Sequence, residues 1–238
     1  MHDPLASFRE TAVRWGCPPD ERQQQQFTQY LAFLMEWNER INLTAVRDPV
    51  EIGRRHFLDA LRLLPFLPPT SFALMDVGSG AGFPGVPLKI MRPDMRLVLV
   101  ESVGKKGNFL QQLLAELKLE RSTVLIARAE ELGRDGRHRE RYQVVTARAV
   151  AELRVLVEYL LPLTAVGGVV LALKGSQAAR EIADAAAAVD LLGGGGAELH
   201  NLPPVDGDES GVLVRIEKER ETPAKYPRRV GVPGKRPL

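Results

Sequence analysis

Hydrophobic residues in the first seventy positions repeat with the spacing of α-helices. One helix face is marked by residues at three- and four-residue intervals, namely Phe27, Tyr30, Leu31 and Leu34. A second helix is predicted over residues 49–64, because Asp48 is a typical N-cap and Pro49 suits the first helical turn. Prolines 65, 68 and 69 then interrupt the pattern. We therefore expect a helical N-terminal cap over residues 1–70.

From residue 71 onwards, short apolar runs alternate with helical patterns, as expected for a domain over residues 71–221. The predicted strands are residues 72–77, 96–101, 123–127, 142–147 and 168–173. The predicted helices are residues 85–91, 105–117, 151–161 and 176–192, the last ending in glycines 193–196 as a stop and flexible turn. Two closing strands, 198–202 and 211–216, flank turn residues 203–210 without a helix between them. This order predicts an α/β fold with a seven-stranded, mainly parallel sheet and helices on both faces.

Composition narrows the class of protein. The chain has 238 residues, of which 45% are hydrophobic and 26% charged, as in ordinary globular domains. We expect no membrane helix, because no apolar run reaches the necessary length. Cys17 is the only cysteine, which excludes an internal disulfide and a cysteine-based zinc cluster. With no signal-peptide pattern at the N-terminus, we expect a cytoplasmic protein that holds no metal.

The formal net charge is only +2, but basic residues are concentrated in a few places. No acidic residue follows Glu221, whereas the proline-rich tail over residues 222–238 contains five basic residues. Prolines favour an extended path over the surface of the main domain. The candidate phosphate contacts are Lys105, Lys106, Arg228, Arg229 and Lys235. Each cluster is also compatible with ordinary surface charge.

A glycine-rich loop separates the first predicted strand from its helix. Between Asp76 and Gly85 the sequence is Asp-Val-Gly-Ser-Gly-Ala-Gly-Phe-Pro-Gly. A strand, a glycine loop and a helix form the site where many α/β proteins bind a nucleotide-like cofactor. Glycine allows positive φ angles and lets a ligand approach the backbone. The segment therefore predicts a cofactor site.

The glycines alone are compatible with two cofactors. Gly80-x-Gly82-x-x-Gly85 fits the dinucleotide-binding pattern. Glu101 follows about 20 residues later in the sequence, where this pattern has the acidic residue that binds the ribose. Asp76-x-Gly78-x-Gly80-x-Gly82 instead matches the first motif of class I methyltransferases. In both interpretations, Glu101 accepts hydrogen bonds from ribose hydroxyls. The final two strands without an intervening helix favour the methyltransferase sheet over a dehydrogenase sheet.

Three further segments follow predicted strands, at the edge where ligands of parallel sheets bind. Arg148 and Lys174 are candidate catalytic groups that could hold a phosphate or a base carbonyl, although either could form an ordinary salt bridge. Ala129 and Glu130 lie where an adenine would be recognised, but acids also favour a helix N-terminus. His56 and Cys17 are interpreted as structural residues.

An ordered set of motifs resembles the bacterial small-subunit ribosomal RNA guanine-N7 methyltransferase family, known as glucose-inhibited division protein B. The matching segments are residues 41–44 (Ile-Asn-Leu-Thr), 56–59 (His-Phe-Leu-Asp), 76–88, 105–106, 128–130, 147–149, 174–175 and 226–233. The Phe-Pro-Gly-Val-Pro sequence after the glycines and the basic, proline-rich tail are peculiar to that family. The motifs extend along almost the whole chain.

The resemblance implies a Rossmann-like class I fold and S-adenosyl-L-methionine as cofactor. The residues implied to contact the cofactor are Asp76, Gly78, Gly80, Gly82, Phe83, Glu101, Ser102, Val103, Ala129, Glu130 and Arg148. The implied target is a guanine in the 530 loop of 16S ribosomal RNA, as naked RNA or in a small-subunit precursor. Phe83 or Tyr226 could stack on the unstacked base. We expect a monomer without a protein partner.

Two rival functions are considered. A nicotinamide-dependent oxidoreductase would use the same glycines, but the sequence lacks a Tyr-x-x-x-Lys or His/Asp pair for hydride transfer. A non-catalytic RNA-binding protein would need only the basic tail. The intact glycine loop, Glu101 and Arg148 argue against that function.

Overall fold

The computed structural model describes residues 3–205 and 211–238 and contains a seven-stranded sheet. Its strands are β1 Ala73–Val77, β2 Arg96–Glu101, β3 Ser122–Ile126, β4 Tyr142–Arg148, β5 Thr164–Lys174, β6 Gly194–Asn201 and β7 Val212–Lys218. The spatial order is β3-β2-β1-β4-β5-β7-β6. Part of the predicted turn over residues 203–210, namely 206–210, lies outside the described residues. The predicted number of strands is confirmed.

The sheet is parallel from β3 to β5, and β7 is antiparallel to both of its neighbours. Met75 in β1 pairs with Val98 of β2 and Val145 of β4. The chain order crosses over at β1, because β2 and β4 lie on its two sides. A ligand site is expected at the carboxyl ends of the strands beside this switch point.

Helices cover both faces of the sheet. The longer ones are α1 Ala6–Arg14, α2 Glu21–Asn38, α5 Gly85–Met91, α6 Gly104–Glu116, α8 Leu153–Leu160 and α9 Ala178–Leu191. The shorter ones are α3 Pro49–Ile52, α4 Asp59–Leu61, α7 Ala129–Leu132 and α10 Val232–Lys235. Asp20 caps α2 with a capping box, and Asp48 caps α3 as predicted. Among the described residues, no helix is both long and apolar enough to cross a membrane.

The two faces of the sheet belong to two apolar cores. One core joins the N-terminal helices, α5 and α6 to side chains such as Leu74, Leu97 and Leu171. The other joins α8 and α9 to the alternate side chains, including Met75 and Val145. This alternation follows from the two-residue period of a strand. The N-terminal cap is therefore packed directly on the sheet.

The structure corrects three details of the predicted elements. The helix predicted over residues 49–64 contains a π-helical segment, Gly53–Leu58, between α3 and α4, and then a 3₁₀ turn. Gly194 to Gly196, predicted as a flexible turn, form the start of β6, where Gly194 pairs with Lys218 of β7 and the register shifts before Ala197. The tail contains α10, where Pro233 occupies the first helical turn, and is therefore only partly extended.

Candidate cofactor and RNA site

The glycine loop folds back onto the end of β2. The backbone N–H groups of Gly78 and Ser79 both donate to the carbonyl of Val100, at 2.8 and 3.0 Å. Gly78, Gly80 and Gly82 have φ angles of 72°, 57° and 98°, which disfavour residues with a Cβ atom. A Cβ on Gly80 would meet only the Gly78 oxygen, at 3.9 Å, so the backbone there is open to a ligand.

The N-terminal cap supports this loop from below. The Tyr30 hydroxyl in α2 donates to the carbonyl of Ala81 at 2.5 Å. A Cβ on Gly82 would lie 2.6 Å from that hydroxyl oxygen, so glycine is required by the close approach as well as by the backbone angle. Tyr30 is fully buried. Because residues 30 and 81 are far apart in the sequence, local sequence patterns could not predict their contact.

Phe83 cannot stack on a target base, contrary to one expectation from the sequence. Its ring is only 4% exposed and stacks on Tyr30 with centroids 5.4 Å apart. His56 and the Arg148 guanidinium lie 4.6 and 5.0 Å from the same ring. Phe83 therefore packs between Tyr30 on one hand and His56 and Arg148 on the other. Tyr226 is also buried, at 8% exposure, and is equally unsuited to stacking on RNA.

Asp76 is a fully buried carboxylate at the end of β1. One oxygen accepts the Gly85 N–H at 3.1 Å, and Oδ1 has no partner among the described residues. Burial raises the pKa of Asp76 to about 7, while the bond from Gly85 and the charge of Arg148 oppose the shift. Asp76 thus organises the turn into α5 from beneath the loop.

Glu101 lies at the carboxyl end of β2 and joins the glycine loop to the next loop. Its Oε2 accepts the Gly80 N–H at 3.0 Å, and its Oε1 accepts the Val103 N–H at 2.8 Å. Each carboxylate oxygen can accept a second hydrogen bond. Ser102 and Val103 are exposed beside it, so a ligand over Gly80 could contact all of these residues.

A small slot continues from the glycine loop across the ends of β2 and β3. It has a volume of about 80 Å³, and its lining residues include Gly78, Val100, Ser102, Ala129, Glu130, Val150 and Tyr159. The predicted contacts Ala129 and Glu130 are therefore brought to the same place as Gly78 and Ser102. Val150 follows β4 and packs against Gly78. A Cβ atom added to Gly78 would lie 2.6 Å from the Val150 side chain. Sequence reasoning missed Val150 and Tyr159.

Arg148, at the end of β4, is fixed by several partners. Its Nη1 donates to the Asp59 carboxylate at 3.1 Å and to the Arg55 carbonyl at 3.2 Å. Its Nη2 lies 3.3 Å from Nδ1 of His56. The side chain is 19% exposed, so the guanidinium is oriented before any ligand binds. Its remaining N–H groups are available for a ligand oxygen.

His56 is held in a neutral form beside Arg148. Its Nε2 lies 2.8 Å from Oγ1 of Thr44, and its Nδ1 lies 3.0 Å from the Arg55 carbonyl. Burial and the charge of Arg148 lower the pKa of His56 to about 4. The imidazole is therefore uncharged near neutral pH, and these contacts agree with the structural role expected for it.

Arg148 also lines a wide cleft that contains many charged side chains. Its volume is about 840 Å³. Its charged lining residues are Glu51, Arg54, Arg55, Asp59, Arg62, Arg148, Lys174 and Glu181. Five of these eight side chains are basic. The cleft therefore combines positive charge with carboxylates that orient it.

Lys174 lines this cleft but is already occupied. Its ammonium donates to the Ala151 carbonyl at 2.6 Å and to Glu181 at 2.7 Å, and its side chain is 9% exposed. Glu181 also accepts the Leu153 N–H at 2.7 Å. The predicted contact to a base or phosphate is thus replaced by a contact to the loop that carries Val150.

The predicted RNA contacts fall into two groups. Lys105, Arg229 and Lys235 are exposed, and Lys106 is half-buried. Arg228 is different, because it forms a two-pronged ion pair with the fully buried Glu158. Its guanidinium is therefore committed to the fold, which corrects its assignment as a phosphate contact. Glu158 lies in a helix where no sequence motif marks it.

The sequence of the chain matches the model of a known protein family. The model of the GidB family, described as rRNA small subunit methyltransferase G, matches residues 23–202. The chain belongs to this family. A ribosomal RNA small subunit methyltransferase G from Roseiflexus sp. is 53% identical over 96% of this chain and 97% of that protein. One from Pelotomaculum thermopropionicum is 48% identical over 98% of both chains. The resemblance inferred from the motifs is confirmed.

Solved structures share the fold at low sequence identity. A putative S-adenosyl-L-methionine-dependent methyltransferase from Methanococcus maripaludis has a TM-score of 0.56 at 10% identity, over 80% of this chain and 93% of that one. M. jannaschii TYW2, solved with AdoMet, has a TM-score of 0.51 at 14% identity, over 68% and 76% of the two chains. The class I methyltransferase fold predicted for the chain is confirmed.

Proposed function

We propose that this member of the small-subunit ribosomal RNA methyltransferase family transfers a methyl group from S-adenosyl-L-methionine to N7 of a guanine in the 530 loop of 16S ribosomal RNA. The observation that supports this most strongly is the position of Arg148. It lines the wide basic cleft, its guanidinium lies over the Phe83 ring next to the glycine loop, and Val150, two residues further along the chain, lines the cofactor slot. A methyl donor and an RNA base could therefore meet beside one oriented guanidinium.

The residues of the slot fit S-adenosyl-L-methionine. The open backbone at Gly80 leaves room for the cofactor, and the free lone pairs of Glu101 can accept both ribose hydroxyls. The adenine would lie in the slot between Gly78, Ala129 and Tyr159. Asp76 would act from beneath the loop, by fixing the Gly85 turn.

When bound, the cofactor supplies an electrophilic methyl group on a positively charged sulfur. Guanine N7 has a free lone pair and no proton to lose, so it would need no general base to accept that methyl group. The residues of this chain act by positioning and electrostatics. Arg148 has N–H groups left for guanine O6 or a flanking phosphate. Asp59 offsets its charge, which limits repulsion of a guanine that becomes positive.

The basic cleft is the proposed place of the RNA. Arg54 and Arg55 come from the π-helical segment, and a π-helical turn is frequent at functional sites. Lys105, Lys106, Arg229 and Lys235 would contact RNA phosphates outside the cleft. We propose that the enzyme acts as a monomer in the cytoplasm, where naked 16S RNA or a small-subunit precursor is available.

The test is methylation of small-subunit RNA by the purified protein with labelled S-adenosyl-L-methionine. We expect methyl incorporation into a guanine of the 530 loop, located by mass spectrometry of RNA fragments. N7 methylation makes the RNA strand sensitive to cleavage by borohydride and aniline, and this cleavage identifies N7 as the methylated atom of the base. Naked 16S RNA and 30S particles from a strain that lacks the modification are compared as substrates.

Two controls separate the rival functions. Calorimetric titration should detect binding of S-adenosyl-L-methionine and none of NAD, whereas an oxidoreductase would give the reverse. Replacement of Gly80 by valine should abolish cofactor binding, because the side chain fills the open approach. Methyl transfer to another base or to another atom of guanine would contradict the proposed specificity.

A further inference from the structure

The basic C-terminal tail is docked tightly on the main domain. Arg134 donates to the carbonyl of Pro227 at 2.7 Å, and Arg139 donates to the carbonyl of Tyr226 at 2.7 Å. Pro227 packs so closely on Gly133 that a Cβ at that glycine would lie 2.8 Å from it. The tail is therefore a packed part of the fold rather than a loose basic arm.

Arg228 joins the tail to α8 through Glu158. Its backbone N–H donates to Glu158 Oε1 at 2.7 Å, its Nε donates to the same oxygen at 2.9 Å, and its Nη2 donates to Oε2 at 2.5 Å. Glu158 has no exposed side-chain surface. Breaking a buried ion pair from one side is costly, because the remaining charge stays buried. The two residues therefore hold the tail against α8.

The docked tail reaches two residues that line the cofactor slot. The Gly231 N–H donates to Oε1 of Glu130 at 3.0 Å. A Cβ on Gly234 would lie 3.7 Å from the hydroxyl of Tyr159, the residue that follows Glu158. Glu130 and Tyr159 are both slot-lining residues, and Glu130 is only 5% exposed. The tail thus contacts the residues at the end of the slot that would hold the adenine.

We propose that the tail is an integral part of the cofactor site, and that Arg228 is the positioning residue that anchors it. The inference rests on the proposed function, because it takes the slot to be the adenine site. Docking of the tail fixes Glu130 and Tyr159, so docking and cofactor binding stabilise each other. Linkage requires this effect to be reciprocal: a loosened tail weakens cofactor binding, and bound cofactor holds the tail in place.

The test compares two adjacent arginines. Arg228→Ala removes the anchor, whereas Arg229→Ala removes the same charge from an exposed side chain with no partner among the described residues. Calorimetric titration with S-adenosyl-L-methionine should give a dissociation constant at least about fivefold higher for Arg228→Ala, the lower end of typical coupling between sites. Arg229→Ala should stay within about twofold of wild type. Arg228→Lys, which keeps the charge but loses the two-pronged geometry, should be intermediate.

A second measurement uses the unchanged protein, in case Arg228→Ala fails to fold. Trypsin can cut the tail after Lys225 and Arg229, and it can cut α9 after the exposed Arg180 as an internal control. We expect S-adenosyl-L-methionine to slow cleavage in the tail several-fold and to leave cleavage after Arg180 unchanged. Sites are assigned by mass spectrometry.

The outcomes distinguish this inference from the proposed function. Wild type that binds no S-adenosyl-L-methionine would contradict the proposed function itself. Wild type that binds it, together with a folded Arg228→Ala variant of equal affinity, would overturn only the role of the tail. Equal tail cleavage with and without cofactor would overturn it as well.

Discussion

Asp76 combines a structural role with an unusual environment for a carboxylate. It has no exposed surface, and its side chain accepts a hydrogen bond from the Gly85 N–H, while Oδ1 has no partner among the described residues. Burial raises its pKa from 3.8 to about 7. Between these two pH values the folded protein retains a proton that the unfolded chain has lost. The contribution of Asp76 to the free energy of unfolding therefore falls as pH rises through this window.

The Asp76→Asn variant tests this pH dependence. Asparagine resembles the protonated carboxyl, so the stability of the variant relative to wild type should rise from pH 5 to pH 8. The rise should be about 3 kcal/mol, because about two units of the pKa shift lie above pH 5 and each corresponds to about 1.4 kcal/mol. Urea unfolding of both proteins at several pH values measures it. The pKa of His56 is lowered, which makes stability rise with pH between about 4 and 6.5, but this effect cancels in the comparison. A constant difference between pH 5 and 8 would show that Asp76 stays ionised in the fold.

Single residues differ in how far the sequence could predict them. Glu101 and the glycines were located because backbone geometry and ligand approach restrict the residue type in a recognisable local pattern. Arg228 was misassigned, because its partner Glu158 lies 70 positions away. Composition cannot show whether a basic side chain faces solvent or a buried acid. The structure shows that Arg228 faces a buried acid, because its partner Glu158 has no exposed side-chain surface.

At the scale of elements, the π-helical segment Gly53–Leu58 places polar groups around Arg148. The Arg55 carbonyl and the His56 ring come from the segment itself, and Asp59 follows it directly. Asp59 also accepts a bond from Arg62 at 3.2 Å, so it joins the two arginines. We interpret Asp59 as a positioning residue for Arg148.

Asp59→Asn should weaken methyl transfer while leaving the cofactor site intact. Hydrogen bonds to charged groups contribute about 1.5–3 kcal/mol, which corresponds to a fall in kcat of about 10- to 100-fold. Affinity for S-adenosyl-L-methionine should stay within about twofold. Glu51→Gln is the matched control, because Glu51 lines the same cleft but pairs with Arg54 and Arg55 instead. Equal losses in both variants would mean that the charge of the cleft matters, and not the orientation of Arg148.

The elements themselves were largely predictable, and the exceptions have physical causes. The predicted bounds of β2 and α5 are those observed, since their apolar runs end at clear polar or proline signals. Glycines 194–196 belong to β6 despite their low strand propensity, because Gly194 and, after a register shift, Ala197 pair with β7. The π-helical segment has no such signature, because its wider turn depends on the packing of the N-terminal helices.

At the scale of the whole molecule, the sheet is enclosed by segments from both ends of the chain. The N-terminal helices cover one face and contact the glycine loop through Tyr30. The tail packs with the other face, where Tyr226 joins the second core. The boundary predicted near residue 70 follows the prolines of the sequence. It does not separate two cores, because side chains of the cap pack in the same cluster as those of β1, α5 and α6.

This shared core predicts that the cap and the sheet unfold together. Both tryptophans, Trp15 and Trp37, lie in the N-terminal cap, and Trp37 packs edge-on against Phe109 of α6 with ring centroids 5.7 Å apart. Tryptophan fluorescence therefore reports on the cap, whereas far-ultraviolet circular dichroism reports on all helices and strands. We expect the two signals to give one urea midpoint, and S-adenosyl-L-methionine to raise both by the same amount, because the bound loop rests on Tyr30. A fluorescence transition at lower urea, unaffected by the cofactor, would show that the cap is an independent domain.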